Sequence, residues 1–158
     1  MKRLALALSL IFLQAGPAWA GLDEAYAAYK RGDYEATLRE LRPLAEQGLA
    51  EAQFDLAAMY NFGEGVPQDY AEAMRWTRMA AEQGLAEAQI HLGLMYHNAQ
   101  GVPQDDVLAH MWLNLAASQL PPGEQRDVAI RFRDVLARQM TLDQLAEAQR
   151  PPVRWVNY

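Results

Sequence analysis

Few side chains in this 158-residue sequence are of the kinds that make or break bonds. Beyond residue 20 the only serine is Ser118, followed by Gln119, Leu120 and Pro121, so neither a Ser-x-x-Lys nor a Gly-x-Ser-x-Gly nucleophile is present. Lys30 is the only lysine in the same stretch, which removes the usual group for Schiff-base and phosphate-loop chemistry. There is no cysteine, hence no thiol nucleophile, disulfide, Cys-type zinc site or lipid anchor through sulfur. His91 and His97 are six residues apart, which turns them to different faces of a helix and defeats the i, i+4 zinc pair; with His110 they predict no metal site. Carboxylates are the abundant reactive group, 20 of them, and a pair could act as acid and base on a glycan. Their positions suggest a simpler use. Glu24, Glu51 and Glu87 fall in or near first helical turns, where the dipole favours negative charge, and Asp33, Asp69 and Asp105 occupy cap positions. The expectation is a protein that is not an enzyme and holds no cofactor.

The elements that carry these residues follow from patterning. Half the residues are hydrophobic (51%) and 22% are charged, the composition of an ordinary folded domain. A net charge of −6 argues against nucleic acid, whose binding rests on clustered Lys and Arg releasing counterions. Residues 1–20 read as a secretory signal peptide: Lys2 and Arg3, an apolar run from Leu4 to Leu13 too short to span a bilayer, then Ala18-Trp19-Ala20 as a small-x-small cleavage site. The sequence thus predicts a periplasmic or secreted bacterial protein with no stable membrane anchor after cleavage.

Self-similarity decides the architecture. Residues 48–83 and 84–119 align over 36 positions without a gap, and 19 are identical. Asp33-Tyr34 matches Asp69-Tyr70, and Ala45-Glu46-Gln47 matches Ala81-Glu82-Gln83, so residues 21–47 form a third unit with a shortened loop. Within each unit two apolar stripes have helical spacing. Ala52, Leu56, Met59 and Tyr60, repeated as Ala88, Leu92, Met95 and Tyr96, mark the first helix. Ala73, Trp76, Ala80 and Ala81, repeated as Ala109, Trp112, Ala116 and Ala117, mark the second. Alanines there allow close backbone approach, while the Trp fills the space between hairpins.

The connection Asn61 to Asp69 has the chemistry of a fixed turn. Gly63 and Gly65 admit positive φ, Val66 points inward, Pro67 breaks the first helix, and Asp69 with Glu72 is spaced as a capping box. The next loop keeps Gly101-Val102-Pro103-Gln104-Asp105 but carries Ala99 in place of Gly63, so either the turns differ or Ala99 is strained. Gly48 and Gly84 follow Glu-Gln helix ends as C′ residues. After the break at Pro121-Pro122-Gly123, Val128, Phe132, Val135, Leu136 and Met140 predict the apolar stripe of a helix starting near Pro122. Thr141 with Gln144 predicts a capping box for a last short helix ending at Pro151. Residues 120–150 thus read as the cap a solenoid needs, and 151–158 as an extended aromatic tail.

The pattern Ala-x-x-x-Leu-(Ala/Gly)-x-Met-Tyr, the Gly-Val-Pro-Gln-Asp loop, Ala-x-x-Trp and Ala-Ala-x-Gln resembles the Sel-one-like repeat, a relative of the tetratricopeptide repeat. The resemblance covers residues 48–119, with Gly32-Asp33-Tyr34 and Leu38 as an entry unit and Ala137 to Gln149 similar to the family's closing helices. It implies an all-α fold, a right-handed α/α superhelix of stacked hairpins over residues 21–150. It also implies a non-enzymatic scaffold that holds a protein or peptide partner in a concave groove. The alternative is a cell-wall-active protein, a peptidoglycan or glycan binder or hydrolase. Cysteine-rich relatives of the family are linked to β-lactam or cell-wall binding, but the cysteine pair per repeat that typifies them is lacking. In the tetratricopeptide register the first helix of each hairpin lines the groove, which implies binding residues Glu51, Phe54, Ala58 and Asn61, then Glu87, Ile90, Leu94 and His97, extended by Tyr26 and Tyr29. Phe54, Ile90 and Leu94 would then be exposed anchors flanked by acids.

Overall fold

The computed structural model describes residues 15–150, with side chains from residue 20 onward. The apolar run of the expected leader and the tail 151–158 lie outside the described residues. Every regular element among those described is a helix: α1 (Ala15–Lys30), α2 (Tyr34–Glu46), α3 (Ala50–Phe62), α4 (Tyr70–Glu82), α5 (Ala86–His97), α6 (Asp106–Gln119), α7 (Glu124–Ala137) and α8 (Leu142–Ala148). Sequential helices pack as antiparallel neighbours, α1 on α2, α3 on α4 and α5 on α6, and each hairpin stacks on the next through α2 against α3 and α4 against α5. α7 and α8 both close onto α6. The chain is an α/α superhelix. α1 runs unbroken through the Ala20–Gly21 bond, so the expected cleavage point lies within a helix.

Both predicted stripes form the core. Leu56 and Met59 of α3, with Leu92 and Met95 of α5, are buried, and Trp76 and Trp112 are 7% and 2% exposed. The alanines are what permit this burial: Ala73, Ala80, Ala109 and Ala116 are fully buried, so helices approach closely and one large indole occupies each interval.

The turns are built by capping. Asp33 Oδ1 accepts from the Ala36 amide at 3.0 Å, Asp69 Oδ1 from Ala71 and Glu72 at 2.9 and 3.1 Å, and Asp105 Oδ1 from Leu108 at 2.9 Å. The backbone amides of the same three aspartates donate to Ala28, Tyr60 and Tyr96 carbonyls at 3.0, 2.9 and 3.0 Å. The first unit's shorter loop therefore keeps the same closing bond. Glu72 does not complete a capping box; its carboxylate pairs with Arg75 at 2.8 Å. α3 stops at Gly63 (φ 71°), four residues before Pro67, so the glycine and not the proline ends it. Ala99 takes φ 55°, the left-handed conformation of its counterpart Gly63, which settles the alternative in favour of strain at Ala99.

Two further expectations are corrected. Glu24 lies in the middle of α1, away from its first turn. Of the stripe expected on α7, which begins at Glu124, Leu136 is buried and Met140 just beyond the helix packs against the core, whereas Phe132 and Val135 are exposed and Ala129 is buried in their stead. The Thr141–Gln144 capping box, in contrast, is fully formed at α8, with bonds of 2.9 and 3.2 Å.

Candidate functional site

The first helices of the second and third hairpins, α3 and α5, are covered on most sides, and what remains is a narrow strip. Apart from Ala50 and Tyr60 on α3 and Ala86 on α5, the half-buried positions are Glu51, Phe54, Asp55 and Ala58 on α3 and Glu87, Ile90, His91, Leu94 and, one turn further on, His97 on α5. These fall at i, i+3, i+4 and i+7, one line along each helix, and the lines correspond residue by residue across the 36-residue repeat. α1 continues the strip with Tyr26 and Tyr29, 45% and 44% exposed. Adjacent helices meet along it. The Phe54 and His91 rings stand edge to face at 5.8 Å, and the Tyr26 phenol faces the Asp55 carboxyl.

Nine of the ten residues expected in the groove lie on this strip, and one does not. Asn61 is buried, 8% exposed, because the loop from Gly63 to Asp69 folds back over the end of α3, where Gln68 Nε2 donates to the Asn61 carbonyl at 2.7 Å. Phe54 and Ile90 are also less free than expected: both are half-buried and packed against the central core cluster, so they form the floor of the strip and are not open anchors. His97, at the end of α5, binds Asp106 in the first turn of α6 through Nδ1 at 2.7 Å. Leu94 and Ala58 are the half-open apolar positions between the acids.

At the N-terminal end the strip deepens into a cavity of about 210 Å³ between α1, α2 and α3. Ala25, Leu41, Ala58 and Met59 form its apolar walls, and Tyr26, Tyr29, Phe62, Asp55 and Glu64 surround it. Phe62 is 67% exposed. Tyr29 is held by its hydroxyl, which donates to Glu64 Oε1 at 3.3 Å, and by the Tyr34 ring at 5.6 Å. Burial pushes the Asp55 carboxyl above the ordinary range, the Tyr26 phenol pulls it back, and the Glu51 charge raises it further. The same arrangement, burial first and then Asp55, pushes the Tyr26 phenol up to about 12. Asp55 Oδ2 is buried and has no hydrogen-bond partner among the described residues.

Asp55, Glu64 and Phe62 were not among the expected site residues. Asp55 is replaced by His91 in the following repeat, and residues that vary between repeats carry no repeat signal. Another missed pair is structural. Gln53 Nε2 donates to the Ala45 carbonyl at 3.0 Å and Gln89 Nε2 to the Ala81 carbonyl at 3.1 Å, so one buried glutamine per repeat ties each hairpin to the end of the previous one.

No group of three or more His, Asp or Glu side chains among the described residues is placed to hold a metal, and no described helix is long and apolar enough to cross a membrane. Stacked hairpins with one continuous lateral strip define the class of α/α repeat scaffolds. Residues 50–85 and 86–119 each match the family model of the Sel1 repeat. Among solved structures, the chain is similar to c5321, described as a protective antigen present in uropathogenic Escherichia coli strains and displaying an SLR fold. That likeness has 29% identity and a TM-score of 0.76, over 86% of this chain and 29% of that one. It is also similar to a Sel1 repeat protein from Oxalobacter formigenes, with 30% identity and a TM-score of 0.65, over 77% of this chain and 46% of that one. The chain thus spans less than half the length of either. Curated proteins give no match. The chain carries two Sel1 repeats and shares the SLR fold of these structures, and proteins built of such repeats are generally scaffolds for protein–protein interaction.

Proposed function

We propose that this protein is an exported, non-enzymatic scaffold that seats a segment of a partner protein along the strip formed by α1, α3 and α5. The observation that carries the reading is the register: Glu51, Phe54 and Ala58 recur as Glu87, Ile90 and Leu94, an acidic residue followed by apolar ones on each successive helix, with Asp55 and His91 between them as the position that varies. Such a ladder suits an extended segment with apolar side chains and some basic charge. The opposite face of the hairpins is different in kind; on α4 it presents Tyr70, Arg75 and Met79 singly, with Arg75 engaged by Glu72 and stacked 4.2 Å over the Trp76 ring.

A photo-crosslinking residue at Ala58 or Leu94, compared with one at Arg75 or Met79, tests this in the native cell. A discrete crosslinked protein formed only from Ala58 and Leu94, and lost on Glu87→Arg, is the expected result. Equal labelling from both faces, or crosslinks to muropeptides alone, would overturn it. Cell fractionation of the same strain checks export: recovery with the cytoplasm would remove that part of the reading.

A further inference from the structure

The cavity at the N-terminal end of the strip differs from the rest of it in shape and charge. At about 210 Å³ it is smaller than the roughly 300–1,000 Å³ of sites for drug-sized ligands, which suits one side chain better than a cofactor. Its walls are apolar, three aromatic rings stand around it, and two carboxylates, Asp55 and Glu64, face it from α3 and the following loop. Among the described residues no Lys or Arg lines it. Glu64 has the Tyr29 hydroxyl as a partner and the Asp55 carboxyl faces the Tyr26 phenol, but Asp55 Oδ2 is buried with no hydrogen-bond partner among the described residues, and a buried carboxylate oxygen left unpaired is costly unless a cation arrives.

We infer that this cavity is a receptor for a basic side chain, a lysine or arginine presented by the segment that lies on the strip. The aliphatic stem lies against Ala58 and Met59, the cationic head meets Asp55 and Glu64, and the Tyr26, Tyr29 and Phe62 rings flank the charge. The net charge of −6 favours approach of a basic segment over an acidic one. The inference rests on the strip as the binding face and adds which chemical class fills its deepest point.

Single-residue probes test it without any partner. Titrating the protein, purified as its own cell processes it, with Nα-acetyl-lysine methylamide or its arginine equivalent should give saturable amide shifts at Ala25, Ala58 and Met59 in heteronuclear NMR spectra. The neutral analogue Nα-acetyl-norleucine methylamide should bind at least fivefold more weakly. Asp55→Asn should weaken the basic probe at least tenfold, and Glu64→Gln several-fold, with helicity unchanged. If Asp55→Asn loses helicity, Glu64→Gln decides. Norleucine binding as tightly as lysine, absent shifts, or lysine binding untouched by the folded variants would overturn the inference. A failed titration beside intact crosslinking at Leu94 removes the cavity assignment alone, whereas a sound titration with no strip-specific crosslink removes the strip reading.

Discussion

Gln83 at the end of α4 donates through Nε2 to the Oε1 of Gln53 in α3 at 2.7 Å, while Gln53 itself reaches back to the Ala45 carbonyl of α2. The two bonds run across three successive helices. One repeat later the chain stops short of this: Gln89 reaches the Ala81 carbonyl, but its own Oε1 is buried without a protein partner, and Gln119, the counterpart of Gln83, lines a cavity beside it with Trp112. Gln83→Ala should therefore cost about 1–2 kcal/mol, since it strands a buried acceptor. Gln119→Ala should stay within about 0.5 kcal/mol. Urea denaturation of both variants beside the parent checks this; equal effects would mean that the bond contributes nothing.

The indoles of Trp76 and Trp112 are the largest groups in their core clusters. Replacing either with Ala should cost about 3–5 kcal/mol, most of what so short an array has to lose. Trp112, the more deeply buried, should be the more damaging. Thermal melts followed by circular dichroism provide the comparison, and parent-like melts for both would refute stacking through the indoles.

What the sequence could disclose depended on whether a residue had a copy. Trp76 and Trp112, the three cap aspartates and the shared glycines repeat, and repetition separates a core position from chance spacing. α7 has no copy, and of its expected stripe Leu136 is buried while Phe132 and Val135 are exposed and the unforeseen Ala129 lies in the core. Gln53 and Gln89 do repeat, yet a polar residue in a helix reads as solvated until the carbonyls it satisfies are placed in space. That Glu51, Phe54 and Ala58 share one line of α3, and Glu87, Ile90 and Leu94 the same line of α5, followed from the tetratricopeptide register together with helix periodicity. Asn61 was misplaced because the covering loop lies after it in sequence and over it in space. The cavity was not legible because its walls come from α1 to α3 and the loop that follows, and its two carboxylates sit at positions without an acidic counterpart.

Ala99 and Gly101 stand two residues apart in one loop and should respond in opposite directions. Ala99 holds φ 55°, so Ala99→Gly should relieve about 1–2 kcal/mol of left-handed strain and lose about 0.5–1 kcal/mol to unfolded-chain entropy, a net gain of up to about 1.5 kcal/mol. At Gly101, with φ 73°, an added Cβ would collide with the Tyr70 carbonyl at the start of α4. Gly101→Ala should then cost about 2 kcal/mol or more. Denaturant midpoints of the two variants would be enough, and a stabilised Gly101→Ala would contradict the packing of this loop on the preceding hairpin.

Acid should weaken the fold through two histidines. Burial alone holds His91, packed against the Phe54 ring, below its ordinary value. His110 is lowered by burial and by the Arg133 guanidinium, against a smaller opposing effect of Asp134. Below about pH 6.5 the unfolded chain takes up protons that the folded one refuses, so stability falls with falling pH until the depressed folded values are passed. A His91→Gln, His110→Gln double variant should show a flatter decline between pH 7 and pH 5 than the parent, whatever its absolute stability. Parallel curves would show that neither imidazole is linked to folding.

Asp55 acts with the opposite sign. Its carboxyl is raised in the folded protein, so as pH climbs through the window above the ordinary carboxylate value the folded state keeps a proton that the unfolded state has released, and stability falls. Above that window the loss is constant. Asn keeps the shape and can still accept from the Tyr26 phenol, but it carries no charge to be desolvated. Asp55→Asn should therefore raise the melting temperature at pH 7 and give no gain near pH 3, where the parent carboxyl is protonated in both states. The same substitution weakens the binding of a basic side chain if the cavity is its receptor, so stability and binding would move apart. Saturating Nα-acetyl-lysine methylamide should restore melting temperature to the parent at pH 7 and do far less for the variant. An Asp55→Asn protein less stable than the parent at neutral pH would show that the buried carboxylate is satisfied as it stands and has no unmet charge to offer.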